Sequence, residues 1–381
     1  VRRRRFLGGA CAGCALLAAG AARGQGTWQM PARFARPDVA TDEGGLWAMM
    51  DREERRLRRS PFNLRDAKLR AYVQDIACRL TADHCPDVRV YLVSAPYFNA
   101  SMAPNGMMQV WSGLMLRVDN EAQLATVLGH EIGHYLQRHS VEQLRDAKTR
   151  AAFGQFLGLF GVAGALGQLG MIAGQFVYGQ DHEREADAIG IRLMRNAGYD
   201  PAEAAKVWEN LRVELRARPE GESASPFFAT HPPPAERQET LARLAQESPG
   251  GATREAAWRE HVAPHMETWL AEEVRRGSPL ESIALLTRLM ARSPDVAAYP
   301  TARGEVYRLR AGEGDLDRAL ADYQAALAAG GAPAAAHRGM GLVHRARREA
   351  GPARASFARY LESAPQAPDF ALIKSYMEEP L

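Results

Sequence analysis

The segment His130-Glu131-Ile132-Gly133-His134 constrains this chain more than any other. On a helix it places two imidazoles four residues apart on one face, where they can share a metal ion. Glu131 then points to the adjacent side, where it can meet a water activated by that metal. A catalytic zinc takes three protein ligands and keeps a fourth position open, so the chain must bring one more donor against this helix. Among 381 residues with 10 histidines, the pattern arises by accident in on the order of one or two chains in a hundred, so it needs a second half elsewhere.

Glu183 and Asp187 are the candidates for that second half. In Glu183-Arg184-Glu185-Ala186-Asp187 they again sit at i and i+4 of a predicted helix. One carboxylate can bind zinc while the other, a turn later, holds a ligand histidine through its free ring nitrogen. Glu185 is the rival ligand, but it lacks a partner acid at that offset. A single glutamate on a helix would otherwise be read as part of a solvated face. His139 and His182 are read as structural or surface residues.

The rest of the chain reads as mostly α with a small antiparallel β-sheet. Leu64, Leu69, Tyr72, Val73, Ile76 and Leu80 recur at helical spacing and predict one amphipathic helix from Leu57 to Leu80. Asp87 to Ser94 alternates as a strand, and a second extended piece covers Gly106 to Trp111. Asn105-Gly106 is a tight-turn signal, and the strand ending near Trp111 is a candidate to bind substrate backbone by strand addition. Asn120 with Gln123 makes a capping-box pattern that opens the motif helix, which runs to about His139. A further helix spans about Glu183 to Asn196, and Asp200-Pro201 opens the next.

Ser248-Pro249-Gly250-Gly251 is the best domain boundary, giving a catalytic region over 26–247, a linker over 248–253 and a helical region over 254–381. In the last region Ala319, Tyr323 and Ala326 are matched by Ala353, Phe357 and Tyr360 at a spacing of 34, with Gly304 and Gly341 in the preceding helices. Ser282, Leu286 and Leu289 make a weaker copy. This resembles tetratricopeptide repeats, whose paired helices stack into an α-solenoid through small and aromatic positions; plain helical hairpins are the other reading.

Residues 1–25 read as a signal peptide: the run Arg2 to Arg5, a small and apolar stretch from Phe6 to Ala22, and Ala19-Gly20-Ala21 as the cleavage site. A short membrane anchor is the alternative. The formal charge of +3 falls to near neutral without those four arginines, so composition offers no reason to propose nucleic acid as a partner. With the leader set aside only Cys78 and Cys85 are left, either as free thiols or as a disulfide tying a helix end to the next strand. Residues 151–180 carry no charge and repeat glycine. A single membrane crossing there would separate His134 from Glu183, so a helical hairpin near the site, touching a membrane or a client protein, is favoured over two short buried helices.

At this point the paired motifs resemble the gluzincin peptidases of metallopeptidase family forty-eight, typified by the CAAX prenyl endopeptidase, HtpX and the periplasmic BepA-like proteases. The similarity takes in Asn99 to Gly106, the helix from Asn120 to His134, and Thr230-His231-Pro232 with Arg237, thus about Leu46 to Leu244. The resemblance implies one Zn2+ held by His130, His134 and Glu183, with Asp187 behind them and Glu131 as the base. It further implies that His231 either occupies the metal's open position and keeps the enzyme latent or stabilises an oxyanion, with Arg237 nearby. The tandem of protease and repeats resembles the BepA-like branch, which implies a periplasmic enzyme acting on misfolded or stalled envelope proteins, its repeats docking to an assembly or clients. The competing reading is a repeat-based chaperone or adaptor with a structural or latent zinc site, in which Glu131 would have no purpose.

Overall fold

Pro61 decides where the first helices end. In the computed structural model, which describes residues 28–149, 178–218, 226–231, 237–247, 249–331 and 333–379, no single helix covers Leu57 to Leu80. Helix α1 spans Asp42–Arg59 and α2 spans Ala67–Thr81. A proline cannot sit inside a helix without removing a hydrogen bond, and it drives the preceding residue to extended backbone. Ser60 accordingly ends α1 at φ −64° and ψ 141°, and the Asp66 carboxylate opens α2 by accepting from the Leu69 amide at 2.8 Å. Cys78 and Cys85 are bridged with their Cα atoms 4.5 Å apart, tying the end of α2 to the 3-10 turn (Ala82–Asp87) that precedes the first strand.

The sheet has three strands, β1 (Arg89–Val93), β2 (Ala100–Met102) and β3 (Met107–Trp111), in the order β1-β3-β2. Asn105-Gly106 does turn β2 into an antiparallel β3, with Gly106 at φ 86°. The pairing of β1 with β3 is parallel, however, so the sheet is mixed instead of wholly antiparallel. Two chain reversals separate β1 from β3 and leave them running the same way. Because β3 is the central strand, its backbone is already paired on both sides; the outer edge on this side of the sheet belongs to β2.

After β3 come α3 (Ser112–Arg117), α4 (Glu121–Leu136) and α5 (His139–Thr149), then α6 (Gln180–Asn196), α7 (Ala202–Ala217), the short α8 (Pro226–Thr230) and α9 (Arg237–Gln246). Helix α4 is buried on every face, covered by α2, α6, α7 and β2. Its N-terminus is fixed as the capping pattern predicts: Asn120 accepts from the Gln123 amide at 2.9 Å. Both side chains also donate to buried Glu203 at 2.8 Å. Such double use satisfies helix-end donors that would otherwise be stranded inside.

The C-terminal part is a series of helices, α10 (Glu255–Val262), α11 (Met266–Arg275), α12 (Pro279–Arg292), α13 (Ala298–Arg310), α14 (Asp315–Ala328), α15 (Ala334–Ala346), α16 (Ala350–Ser363) and α17 (Phe370–Glu378); α10 packs against α2 and α4, and from α11 onward each helix packs on the next. The residues at the 34-residue spacing are buried, with Tyr323 and Phe357 fully enclosed. Residues 33–381 form one compact unit. Buried Arg117 of α3 joins Glu214 at 2.7 Å and Glu273 at 2.9 Å, linking α7 and α11. Residues 249–253 are packed as well, for Thr253 accepts from the Ala122 amide at 3.2 Å and Ala252 bridges Tyr199. The expected signal peptide at 1–25 and nearly all of the uncharged segment 151–180 lie outside the described residues. Among the described residues, no helix is long and apolar enough to cross a membrane.

Candidate metal centre

The centre is built by the contact of α4 with α6, and small residues set its closeness. A Cβ on Gly133 would lie 2.9 Å from both the Cα and the carbonyl oxygen of Ala186, and one on Gly129 would lie 3.2 Å from the Gly190 carbonyl oxygen. The two backbones therefore touch where the sequence has Gly129, Gly133, Ala186 and Gly190. This brings Glu183 over the imidazoles: its Oε2 is 3.5 Å from His130 Nε2 and its Oε1 is 3.3 Å from His134 Nε2. The two Nε2 atoms are 3.1 Å apart.

The Nδ1 atom of His130 lies 2.9 Å from Asp187 Oδ1. A carboxylate there draws the ring hydrogen to Nδ1 and leaves the Nε2 lone pair facing the cluster. Asp187 and Glu183 are held together by Arg237, which donates to Asp187 at 2.7 Å and to Glu183 at 3.0 Å. The guanidinium lies 3.9 Å over the Trp208 ring, so its position is set by packing as well as by charge. His134 finds a different partner: its Nδ1 is 2.8 Å from Nδ1 of His139.

His231 enters from the opposite side, after α8. Its ring stacks on Phe227 at 4.5 Å, and Thr230 Oγ1 is 2.8 Å from its Nδ1. Its Nε2 reaches to 3.5 Å from Glu131 Oε1. Tyr178, which stacks on His134 at 3.8 Å, closes another side and donates its amide to the Thr230 carbonyl. Glu131 also accepts from the Met102 amide, so the edge strand β2 borders the site.

These side chains are buried, at 1 to 6 % exposure, and burial dominates their titration. It pushes His130 down to about 4, with the Arg237 charge adding to the effect and Asp187 opposing it. Burial lowers His134 and His231 strongly too, helped by their neighbouring imidazoles. It raises Glu183 to about 8 despite Arg237, and raises Glu131 with help from the Glu183 charge. Asp187 is the exception: burial would lift it, but Arg237 and His130 hold it below the ordinary carboxylate range. At neutral pH the imidazoles are therefore uncharged bases, the form in which histidine binds a metal.

Whether a metal fits can be judged from the atoms left over. Among the described residues Glu131 Oε1, Glu183 Oε1 and His231 Nε2 are buried without a hydrogen-bond partner. Stranded polar atoms in a dry interior cost free energy, and two imidazole lone pairs facing each other at 3.1 Å repel. A cation among them removes both costs. His130, His134, Glu183 and His231 each offer one donor atom, all within 4.8 Å of one another, and two or three imidazoles with one carboxylate suit Zn2+.

Of the residues singled out in the sequence, His130, Glu131, His134, Glu183, Asp187, His231 and Arg237 are brought together. Glu185, the rival ligand, points away; it is half exposed and meets Gln137 and His139. His139, read as structural or surface, is buried and adjoins His134.

Residues 63–245 match the family model described as peptidase family M48. The chain is 31% identical over 226 residues to the beta-barrel assembly-enhancing protease of Escherichia coli K12, covering 53% of this chain and 45% of that protein. It is also similar to mitochondrial metalloendopeptidase OMA1, with 31% identity over 154 residues in Arabidopsis thaliana, covering 40% of this chain and 31% of that protein. In Saccharomyces cerevisiae the identity is 32% over 149 residues, or 38% of this chain and 43% of that protein. The matched stretch thus spans about a third to a half of these relatives.

Proposed function

We propose, on the premise that residues 63–245 form a peptidase family M48 domain, that the chain is a zinc-dependent endopeptidase. The observation that carries this reading is the convergence of partnerless buried donor atoms beside two neutral imidazoles. His130, His134 and Glu183 hold the ion, and Asp187 and Arg237 hold His130 and Glu183 in place. Zinc supplies Lewis-acid polarisation of a peptide carbonyl and brings the pKa of a water toward neutrality.

Glu131 performs the proton work. Its Oε1 accepts the proton of the attacking water and passes it to the leaving amine, a transfer helped by burial that raises its pKa toward the working range. The substrate backbone pairs with the edge strand β2 in place of β3, whose backbone is taken. His231 acts as a latch: its Nε2 points at Glu131 and belongs to the donor cluster, so it occupies the position a substrate carbonyl needs. Arg237 is assigned a holding role behind the carboxylates, not contact with substrate.

We extend the reading to a setting in the cell envelope, with proteins as substrates and the C-terminal helices, read as tetratricopeptide-like, docking to an assembly or to clients; the name of one relative, a beta-barrel assembly-enhancing protease, supports proteolysis linked to an assembly. A peripheral membrane contact through 151–180 belongs to the same reading. The deciding experiment is Glu131→Gln. Loss of casein cleavage with one zinc per chain retained is expected; cleavage that persists at the wild-type rate overturns the peptidase reading. An unchanged cellular phenotype of the inactive variant would favour the chaperone or adaptor role. His231→Ala is expected to raise cleavage if the latch reading is right, and unchanged metal content and proteolysis would remove it.

A further inference from the structure

We propose that His139 is a positioning residue for His134: its Nδ1 accepts the His134 Nδ1 hydrogen and so fixes that ligand's tautomer and ring plane, with Glu185 anchoring His139 in turn. The inference rests on the metal-site reading above and deepens it.

The direction of each hydrogen bond follows from the cluster. His134 presents Nε2 to Glu183 Oε1 at 3.3 Å and to His130 Nε2 at 3.1 Å. A ligand nitrogen must offer its lone pair, so the ring hydrogen of neutral His134 sits on Nδ1. Among the described residues that hydrogen finds its acceptor in Nδ1 of His139, at 2.8 Å. His139 therefore carries its own hydrogen on Nε2, which faces Glu185 Oε2 at 3.3 Å. One chain of donors runs outward from His134 through His139 to a half-exposed carboxylate.

The backbone shows that this contact is built in. Between α4 and α5 the chain turns at Arg138, a non-glycine residue at φ 59°. Left-handed backbone at such a residue costs on the order of 1 kcal/mol and persists where the surroundings enforce it. Arg138 is tied to Glu43 by an ion pair and lies 5.4 Å over the Phe34 ring. This turn is what returns His139, the first residue of α5, to the flank of His134. The ring is then clamped by His182, stacked at 4.2 Å, and is 1 % exposed.

The two ligand histidines are thus supported unequally. His130 leans on the Asp187 carboxylate, whereas His134 leans on an uncharged imidazole whose tautomer must itself be set. Removing the partner of a metal-bound histidine typically weakens metal binding by roughly 10–100-fold.

The test is zinc affinity of the full chain by chelator competition, together with the d–d spectrum of the cobalt-substituted protein, for wild type, His139→Leu, His139→Gln and Glu185→Leu. His139→Leu fills the space without an acceptor and is expected to weaken zinc binding by roughly 10–100-fold and to shift the cobalt spectrum. His139→Gln, whose amide oxygen can accept, should recover most of that loss. Glu185→Leu alters a half-exposed residue and should weaken binding about threefold, a fraction of the effect of removing the direct partner; it carries the test if His139→Leu does not fold. Wild-type affinity in His139→Leu, or in Glu185→Leu where that variant stands in for it, overturns the proposal, as does a Gln variant no better than Leu. A wild-type chain that binds no zinc at all would instead sink the metal-site reading, and this inference with it.

Discussion

Glycine does opposite work in the two halves of the molecule. Between α4 and α6, Gly129 and Gly133 meet backbone, at Gly190 and Ala186. Among the C-terminal helices, Gly304 meets the Tyr323 ring and Gly341 meets the Phe357 ring, where added Cβ atoms would fall 2.9 and 2.4 Å from ring carbons. In the first case the missing side chain brings two backbones together so that a carboxylate reaches two imidazoles. In the second it makes room for a large buried ring. The first contact sets a position, and the second contributes burial.

The largest effect should come from Gly133→Ala. Alanine gains about 1 kcal/mol of helix propensity over glycine, yet its Cβ would sit 2.9 Å from backbone atoms that cannot rotate aside. The helices must part, and a misplacement near 1 Å can cost about 100-fold in rate. Peptidase activity is expected to fall at least that far and zinc occupancy to drop in the purified variant, with far-UV circular dichroism close to wild type. Normal zinc content and activity would show that the backbone contact sets nothing.

Phe357→Ala should come next. Emptying a fully buried phenylalanine site costs about 3–5 kcal/mol, to be read from denaturant unfolding, while zinc stoichiometry stays at one. Gly341→Ala should be milder, about 1–3 kcal/mol, because the ring it strikes can shift. If either C-terminal variant lowered zinc occupancy, the two halves would be coupled through Arg117 and its partners Glu214 and Glu273.

The smallest effect is a pH dependence confined to the site. Burial raises Glu183 to about 8 from a usual 4.5, so in metal-free protein the folded form keeps a proton that the unfolded form has lost. That contribution is fully present below about 4.5 and disappears as pH rises through about 8. His130, lowered from 6.5 to about 4, acts in the opposite sense, but only below about 6.5. Between pH 6.5 and 8 the raised carboxylates act without opposition from the histidines, and Glu131, which burial also raises, pulls in the same direction as Glu183. Thermal unfolding of the metal-free protein should therefore shift to lower temperature across that interval. Zinc, which needs an ionised carboxylate, should remove the decline. A flat profile for the metal-free protein would mean that Glu183 is not held in a dry cluster.

The pairs separated by one helical turn were readable from the sequence because the helix itself fixes their geometry. His130 with His134 and Glu183 with Asp187 share a face whatever surrounds them, and the 34-residue spacing of Tyr323 and Phe357 marks repeated packing in the same way. The break at Pro61 is equally legible, because a proline ends a helix whatever the apolar periodicity on either side of it. The mixed sheet was not available, since the order of β1, β3 and β2 depends on how the chain crosses between them.

What the sequence determined alone is therefore local: two half-sites, their residue types and the caps that begin their helices. Only the tertiary structure decided which half-site faces which, how near, and what stands behind each ligand. The Gly133 contact with Ala186, Arg237 across Glu183 and Asp187, and His139 against His134 all depend on helices meeting or on a turn in left-handed backbone. Periodicity places side chains on a face; long-range packing chooses the face they meet.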